Sequence, residues 1–456
     1  MKDMTKGPEF RQILLFTVPM LIGAVFQQMY NMVDSIVVGR YVGPNALAAV
    51  GTSFPVIFLL VSMVVGLTVG SGVVISQYYG AKQHEKLRRS VSTALIFQMG
   101  AGLLVSGVGI LLARPLLVLL NTPPEILGSA VSYMHIYLGG MIFSFVYNSL
   151  AGFLRALGDS RTPLYFLMIS TVSNIILNIY FVAVRGWGVK GVAWATVISV
   201  ALASVLLTVY VYRRVPLLAI GRGEWVFDLS IFRQVLRIGI PSAVQQSVAS
   251  MGFMAVQSLI NSFGGATMAA NTAAARLDSF ALMPIMNLGM ALSTFAGQNI
   301  GAGQIERVKR GLKATWVMVA TCAVSMSLLV YIFGPQLLQM FVKAEEVEVI
   351  SRGMEYLKIV SVFYLLFGTM NIFNSVLRGA GDNMVPMYTI IVDLGVRVAV
   401  AYWLTSIPAI SYRGVWWAIP AGWGVACVIP SIRFFSGAWK DKAVVKTVAP
   451  LTGADA

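Results

Sequence analysis

The chain has 456 residues, of which 57% are hydrophobic and only 11% charged. A soluble protein carries roughly 25% charged residues, so the composition excludes a soluble globular domain and predicts an all-α polytopic membrane protein. A net charge of +15 would suggest nucleic acid in a soluble chain. Here the basic residues gather in short loops on one side, as the positive-inside rule requires, and no nucleic-acid partner is expected.

Residues 1–12 are mixed in charge, and no small-residue cleavage site closes the apolar run that follows. A retained first helix is expected there, not a removed signal. Apolar stretches then recur at about 13–38, 46–76, 91–113, 127–153, 163–185, 191–212, 235–263, 267–297, 313–333, 351–376, 385–407 and 414–436. Each is long enough to cross the hydrocarbon at 1.5 Å per residue. Twelve spans put both termini on one side. Outside the spans, 23 Lys and Arg fall on that side and seven on the other, so both termini are expected in the cytoplasm.

Span 1 carries a carboxylate, Asp34, with no Lys or Arg three or four residues away. A lone acid in a span is costly and is tolerated mainly where it has work to do. Loss of water favours its neutral form, so it can take a proton on one side and release it on the other. Tyr30 and Asn31 lie one turn before it and Gln27 one turn further. Pro19 removes a backbone hydrogen bond and bends the span; with Gly23 nearby, the bend is either fixed or switchable.

Further along, span 5 places Asn174 and Asn178 on one face, four residues apart, as candidate partners for Asp34 or as helix–helix glue. Gly66, Gly70 and Gly72 in span 2 predict close helix packing. Two more acids fall within spans. Asp393 has Arg397 at i+4, which predicts a structural ion pair; Asp278 follows Arg276 at i+2, on a different face, and is a possible second acidic site. Met251, Phe280 and Met283 are candidates, with Gln27, Tyr30 and Asn31, to line a substrate cleft, where soft and aromatic walls suit flat or cationic organic molecules. Cys322 and Cys427 read as buried apolar residues. His84 and His135 lack companions at metal-ligand spacing, and no phosphate-binding glycine loop is present. No enzyme, metal site or cofactor is expected.

The chain repeats. Gln77-Tyr-Tyr-Gly80-Ala81 through Arg89 recurs as Gln298-Asn-Ile-Gly301-Ala302 through Arg310, an offset of 221. Pro19 is echoed by Pro241, and Leu154-Arg155-Ala-Leu-Gly158-Asp159 by Leu377-Arg378-Gly-Ala-Gly381-Asp382. The expected organisation is two pseudo-symmetric six-helix bundles, 1–214 and 235–456, joined by a cytoplasmic linker at 215–234. Two like bundles around a cleft are the design of alternating access.

Pro19, Asp34 followed by Val37-Val38-Gly39 and Val42-Gly43, the Gly-Gln-Asn-Ile-Gly-Ala run at 297–302 and the repeated Leu-Arg-x-x-Gly-Asp motif together resemble the MATE (multidrug and toxic compound extrusion) family, and its bacterial DinF-like and MepA-like branch most. The resemblance covers nearly the whole chain. It implies a multi-pass monomer in the bacterial cytoplasmic membrane that exports drugs, dyes and other organic cations against inward H⁺ or Na⁺. It also implies a coupling role for Asp34, with Asn174 and Asn178 beside it. Two departures matter. Some relatives have an Asp where Asn178 stands, and the NorM-like branch uses acids in spans 7 and 10 that are missing here. Proton coupling is therefore the expectation. A lipid-linked saccharide flippase of the same superfamily and a channel are the alternatives.

Overall fold

Hydrocarbon offers the backbone no hydrogen bonds, so a chain this apolar must satisfy its own amides, and it does so as helices. The computed structural model describes residues 2–221 and 223–445, save the side chains at 44, 59, 63, 250, 251 and 253. In chain order the helices are α1 (Glu9–Tyr41), α2 (Pro44–Gly80), α3 (His84–Leu119), α4 (Pro124–Gly139), α5 (Met141–Ala156), α6 (Arg161–Asn178), α7 (Gly188–Arg214), α8 (Leu229–Asn261), α9 (Gly265–Gly301), α10 (Ile305–Gln339), α11 (Val347–Ser361), α12 (Tyr364–Ala380), α13 (Met384–Thr405) and α14 (Arg413–Phe435). A π-helical turn, Ile179–Val184, continues α6.

Among the described residues nine spans are single rods long and apolar enough to cross a membrane. Two more are bent pairs, α4 with α5 at 46° and α11 with α12 at 48°. The 33-residue α8 supplies the twelfth. The two bends occupy equivalent places in the two halves. The backbone repeats in its turns as well. Gly43 and Gly264 precede α2 and α9 with φ of 104° and 88°, and Gly158 and Gly381 take φ of 82° and 87° at the end of the Leu-Arg-x-x-Gly-Asp motif. In the first copy of that motif, Asp159 Oδ1 accepts from the amides of Arg161 and Thr162, both at 3.0 Å, and so caps α6. In the second copy, Asp382 instead takes the Arg433 guanidinium at 2.7 Å.

Two compact units form, one from 2–3 with 18–243 and the other from 4–17 with 244–445. Two helices therefore pass from one unit to the other, α1 at Thr17/Val18 and α8 at Ala243/Val244. Each passage lies within three residues of a helix-interior proline, Pro19 or Pro241. A proline breaks the i→i−4 ladder, so these are the points where each rod is least bound to continue straight.

In the first unit, α2 meets the opening turns of α8 closely. A Cβ at Gly66 would strike the Ala243 backbone, and one at Gly70 the Val235 carbonyl. Gly72 faces open space instead, because it lies off the stripe that Gly66 and Gly70 share. The linker docks on the first copy of the long repeat. Arg88 donates to the Ala219 carbonyl at 3.0 Å and pairs with Glu224. Ser92 accepts from the Val226 amide at 2.8 Å, and the Tyr78 hydroxyl donates to Gln234 at 3.2 Å.

In the second unit the N-terminal segment docks on the second copy. Met4 is wholly buried. Its amide donates to Gln298 Oε1 at 3.0 Å, and its carbonyl accepts from Asn299 at 3.2 Å and from Arg307 at 3.3 Å. Arg307 also donates to the Gly7 carbonyl at 2.6 Å and, with Arg310, holds Glu9. Each copy of the repeat thus grips the segment that leads into a unit-crossing helix. Charge-assisted bonds of this kind contribute about 1.5–3 kcal/mol each. Arg307→Ala should therefore raise the rate of tryptic cleavage at Lys6 by about tenfold or more; unchanged protection would mean that the segment is held by other contacts.

Candidate functional site

The polar residues of the first unit converge on one face of α1. Asn178 closes the regular part of α6, where the chain widens into the π-helical turn, a feature that often accompanies functional side chains. Its amide nitrogen donates to Asp34 Oδ1 and also to Asn174 Oδ1 at 3.0 Å. Asn174 in turn donates to the Tyr30 hydroxyl at 3.3 Å, and the Tyr30 hydroxyl donates to Thr196 Oγ1 of α7 at 3.1 Å. Asn174 and Asn178 are fully buried, while Asp34 is half-buried. The chain of bonds runs from a carboxylate through two amides and a phenol to a threonine, across three helices.

One acceptor in this network is spare: Asn178 Oδ1 is enclosed and has no hydrogen-bond partner. It is the natural acceptor for a proton carried by Asp34. Tyr133 and Tyr137 of α4, their rings stacked at 6.1 Å, pack with Val33, Val37 and Val38 of the stretch that carries Asp34. Beyond Asp34, Val37 and Val38 bury themselves against Tyr133, Val182, Val192 and Ala193 and close the site with apolar side chains. Thr196, Tyr133 and Tyr137 carry no signal in the sequence, because single polar or aromatic residues in an apolar span are common; only the packing brings them to Asp34.

The other candidates separate. Gln27 and Asn31, one turn apart, lie on the exposed face of α1. Pro19 is buried at the passage between units. In the second unit, Phe280 is exposed and Met283 half-buried on α9; the Met251 side chain lies outside the described residues. Asp393 and Arg397 meet at 3.0 Å and are buried, and Gly422 of α14 leaves the room that Asp393 fills. Asp278 finds its partner on another helix, accepting from the Tyr356 hydroxyl of α11 at 3.3 Å. Asn371 and Gln245 donate to the Ile285 and Pro386 carbonyls, which ties helix to helix.

Comparisons with known proteins agree with this architecture. The sequence model of the MatE family matches residues 19–180 and 241–403, one block in each half. The chain is 32% identical over 453 residues to "Probable multidrug resistance protein YoeA" of Bacillus subtilis (strain 168), covering 97% of each chain. It is 23% identical over 444 residues to "Probable multidrug resistance protein NorM" of Thermotoga maritima, covering 96% of this chain and 95% of that one. Its fold is similar to that in "Crystal structure of MATE in the bent conformation", with a TM-score of 0.90 at 24% identity over 97% of this chain and 98% of that chain. It is equally similar to that in "Crystal structure of MATE in the straight conformation", with a TM-score of 0.89 at 24% identity over 96% and 98%.

The bond between Asp34 and Asn178 can be measured. A double-mutant cycle of Asp34→Asn and Asn178→Leu, read by thermal unfolding in detergent, should give a coupling energy of about 1–2 kcal/mol. Additivity within about 0.5 kcal/mol would contradict a direct bond.

Proposed function

The chain belongs to the MatE family, and on that premise we propose that it exports drugs and other organic cations across the bacterial cytoplasmic membrane in exchange for H⁺, with Na⁺ the alternative coupling ion. The observation that carries the proposal is the placement of Asp34, an intramembrane carboxylate held by Asn178 at the end of a buried hydrogen-bond chain. A proton is the better fit. Asn178 donates its NH₂ to the carboxylate, and a lone acid within a span is neutralised by a single proton.

In this mechanism Asp34 binds a proton while the site faces outward. Protonation converts an acceptor of the Asn178 amide into a donor, and the amide turns over so that its unpartnered Oδ1 accepts. The hydrogen bonds around α1 rearrange, and α1 is anchored in both units with Pro19 beside the passage. A change in its preferred packing therefore biases how the units are arranged, and the units alternate access between the two sides of the membrane. Organic cations bind along the exposed residues Gln27 and Asn31 of α1 and along the Phe280, Met283 and Met286 side of α9, where aromatic and thioether groups supply adaptable contacts. Both termini face the cytoplasm, where the basic residues concentrate, and the monomer is the working unit.

Everted membrane vesicles test this directly. An imposed pH gradient should drive dye efflux through the wild type, and Asp34→Asn should lower that rate at least tenfold with dye binding retained. Efflux that survives unchanged in Asp34→Asn, or that ignores the pH gradient, would sink proton coupling. Efflux that follows a sodium gradient alone would assign Na⁺.

A further inference from the structure

Where α12 meets α14, the second unit carries a groove that the mechanism above does not use. On α14, Gly424, Val428, Ile432 and Ser436 recur every four residues, with Cys427, Ser431 and Phe435 beside them. That spacing puts them on one strip of the helix, and Leu366 of α12 forms the opposite wall. Cys427 is buried and Gly424 and Ser431 are half-buried, while Val428, Ile432 and Phe435 stand exposed along the edge. The strip is deep because its inner residues are small. Ser431 Oγ donates to the Cys427 carbonyl at 2.7 Å, so even the hydroxyl leaves the lining apolar.

The groove has the length of one leaflet. Gly424 is the central residue of α14, and the twelve residues from there to Ser436 rise about 18 Å. Half of a hydrocarbon core is about 15 Å. An acyl chain lying in the strip therefore reaches from mid-membrane to the end of the helix, and that end is basic. Gly437, with φ of 73°, turns the chain back there. The Trp439 indole stacks on Phe434 at 5.6 Å and donates to its carbonyl at 3.0 Å. Buried Trp439 thus pins the turn Lys440–Lys442 against the helix end. Lys440 is exposed, and a Cβ on Gly437, next to Ser436, would lie 3.5 Å from its Nζ.

The other charges nearby are engaged. Arg433 holds Asp382 at 2.7 Å. Glu306, which Lys440 faces at longer range, is held by Lys309 at 2.6 Å. Asp441 is exposed within the turn, so with Lys440 and Lys442 the turn keeps one net positive charge. We propose that this groove binds an anionic phospholipid, one acyl chain along α14 and the phosphate on Lys440 with Lys442 beside it. The strip accepts any apolar chain, but a phosphate gives the ammonium a partner at the point where the chain ends. A zwitterionic headgroup brings its own cation to the same place and gains little.

Photo-crosslinking in nanodiscs tests this. Phosphatidylglycerol with a diazirine in its acyl chain, diluted into phosphatidylcholine, should label residues 424–436, as mapped by peptide mass spectrometry. Added phosphatidylglycerol should compete, and added phosphatidylcholine should not. Apparent affinity should fall about fivefold in Lys440→Gln and about thirtyfold in the Lys440→Gln/Lys442→Gln double variant, the factors that basic residues contribute beside anionic lipid. Lys440→Arg should keep it. Ser431→Phe, which fills the groove and spares both lysines, should abolish labelling at 424–436. Equal competition by phosphatidylcholine, or a double variant that binds as tightly as the wild type, would overturn the proposal. So would a groove left unlabelled because a second copy of the chain covers it. Nanodiscs offer the probe to both ends of the protein, so the result depends neither on export nor on which side the termini face. Should Ser431→Phe not fold, the lysine variants, which alter an exposed turn, decide.

Discussion

Every polar group carried into hydrocarbon has to be met from inside the protein, and the structure depends on that constraint. Its three intramembrane acids meet it in three ways. Asp393 is neutralised by Arg397 one turn away and behaves as a fixed part of the packing between α13 and α14. Asp34 accepts from one buried amide, Asn178, which is itself bonded to Asn174 and through it to the Tyr30 phenol. Asp278 is met by phenols from a neighbouring bent span, Tyr356 at 3.3 Å with Tyr364 beside it.

The repeat sets where chemistry can differ. Backbone features recur faithfully: glycines of positive φ before α2 and α9 and after α5 and α12, bends of similar size in spans 4 and 10, and a docking surface in each copy of the long motif. The acids do not recur. The α8 stretch equivalent to Asp34 falls around Ala255 and Val256, which are exposed and half-buried, and the α2 stretch equivalent to Asp278 falls around Val56 and Ile57, which are buried in apolar clusters. The two units share a scaffold because both halves solve the same packing problem. Their polar networks diverged because a buried charge is needed only where it is used.

Much of this was legible in the sequence. The twelve apolar runs and the internal repeat are read from the sequence, the pair Asp393 with Arg397 follows from helical spacing, and Asn178 beside Asp34 is what the family resemblance implies. What the sequence hid is tertiary or conformational. The breaks leave the apolar runs uninterrupted: the Gly139-Gly140 pair is the one local mark of the first, and Val362-Phe363 gives none for the second. The π-helical turn after Asn178 has no sequence signature. Thr196, Tyr133 and Tyr137 join the Asp34 network only through the packing of α4 and α7, and Tyr356 reaches Asp278 from a helix 78 residues away. Gln27 and Asn31 precede Asp34 by two turns and one turn but are exposed, and they stand outside the chain of bonds that joins Asp34, Asn178, Asn174, Tyr30 and Thr196. The mixed charge of residues 1–12 gives no sign that Met4 is buried; its burial depends on Gln298, Asn299 and Arg307 in the second copy of the repeat.

Proton exchange at Asp34 on substrate binding is the central claim, and calorimetry of the purified protein measures it without any transport step. Binding of an organic cation at equilibrium, titrated in buffers of different ionisation enthalpy, should show proton release in the wild type. In Asp34→Asn that release should be lost in large part, with binding itself retained. An Asp34→Asn protein that releases as many protons as the wild type would contradict the account.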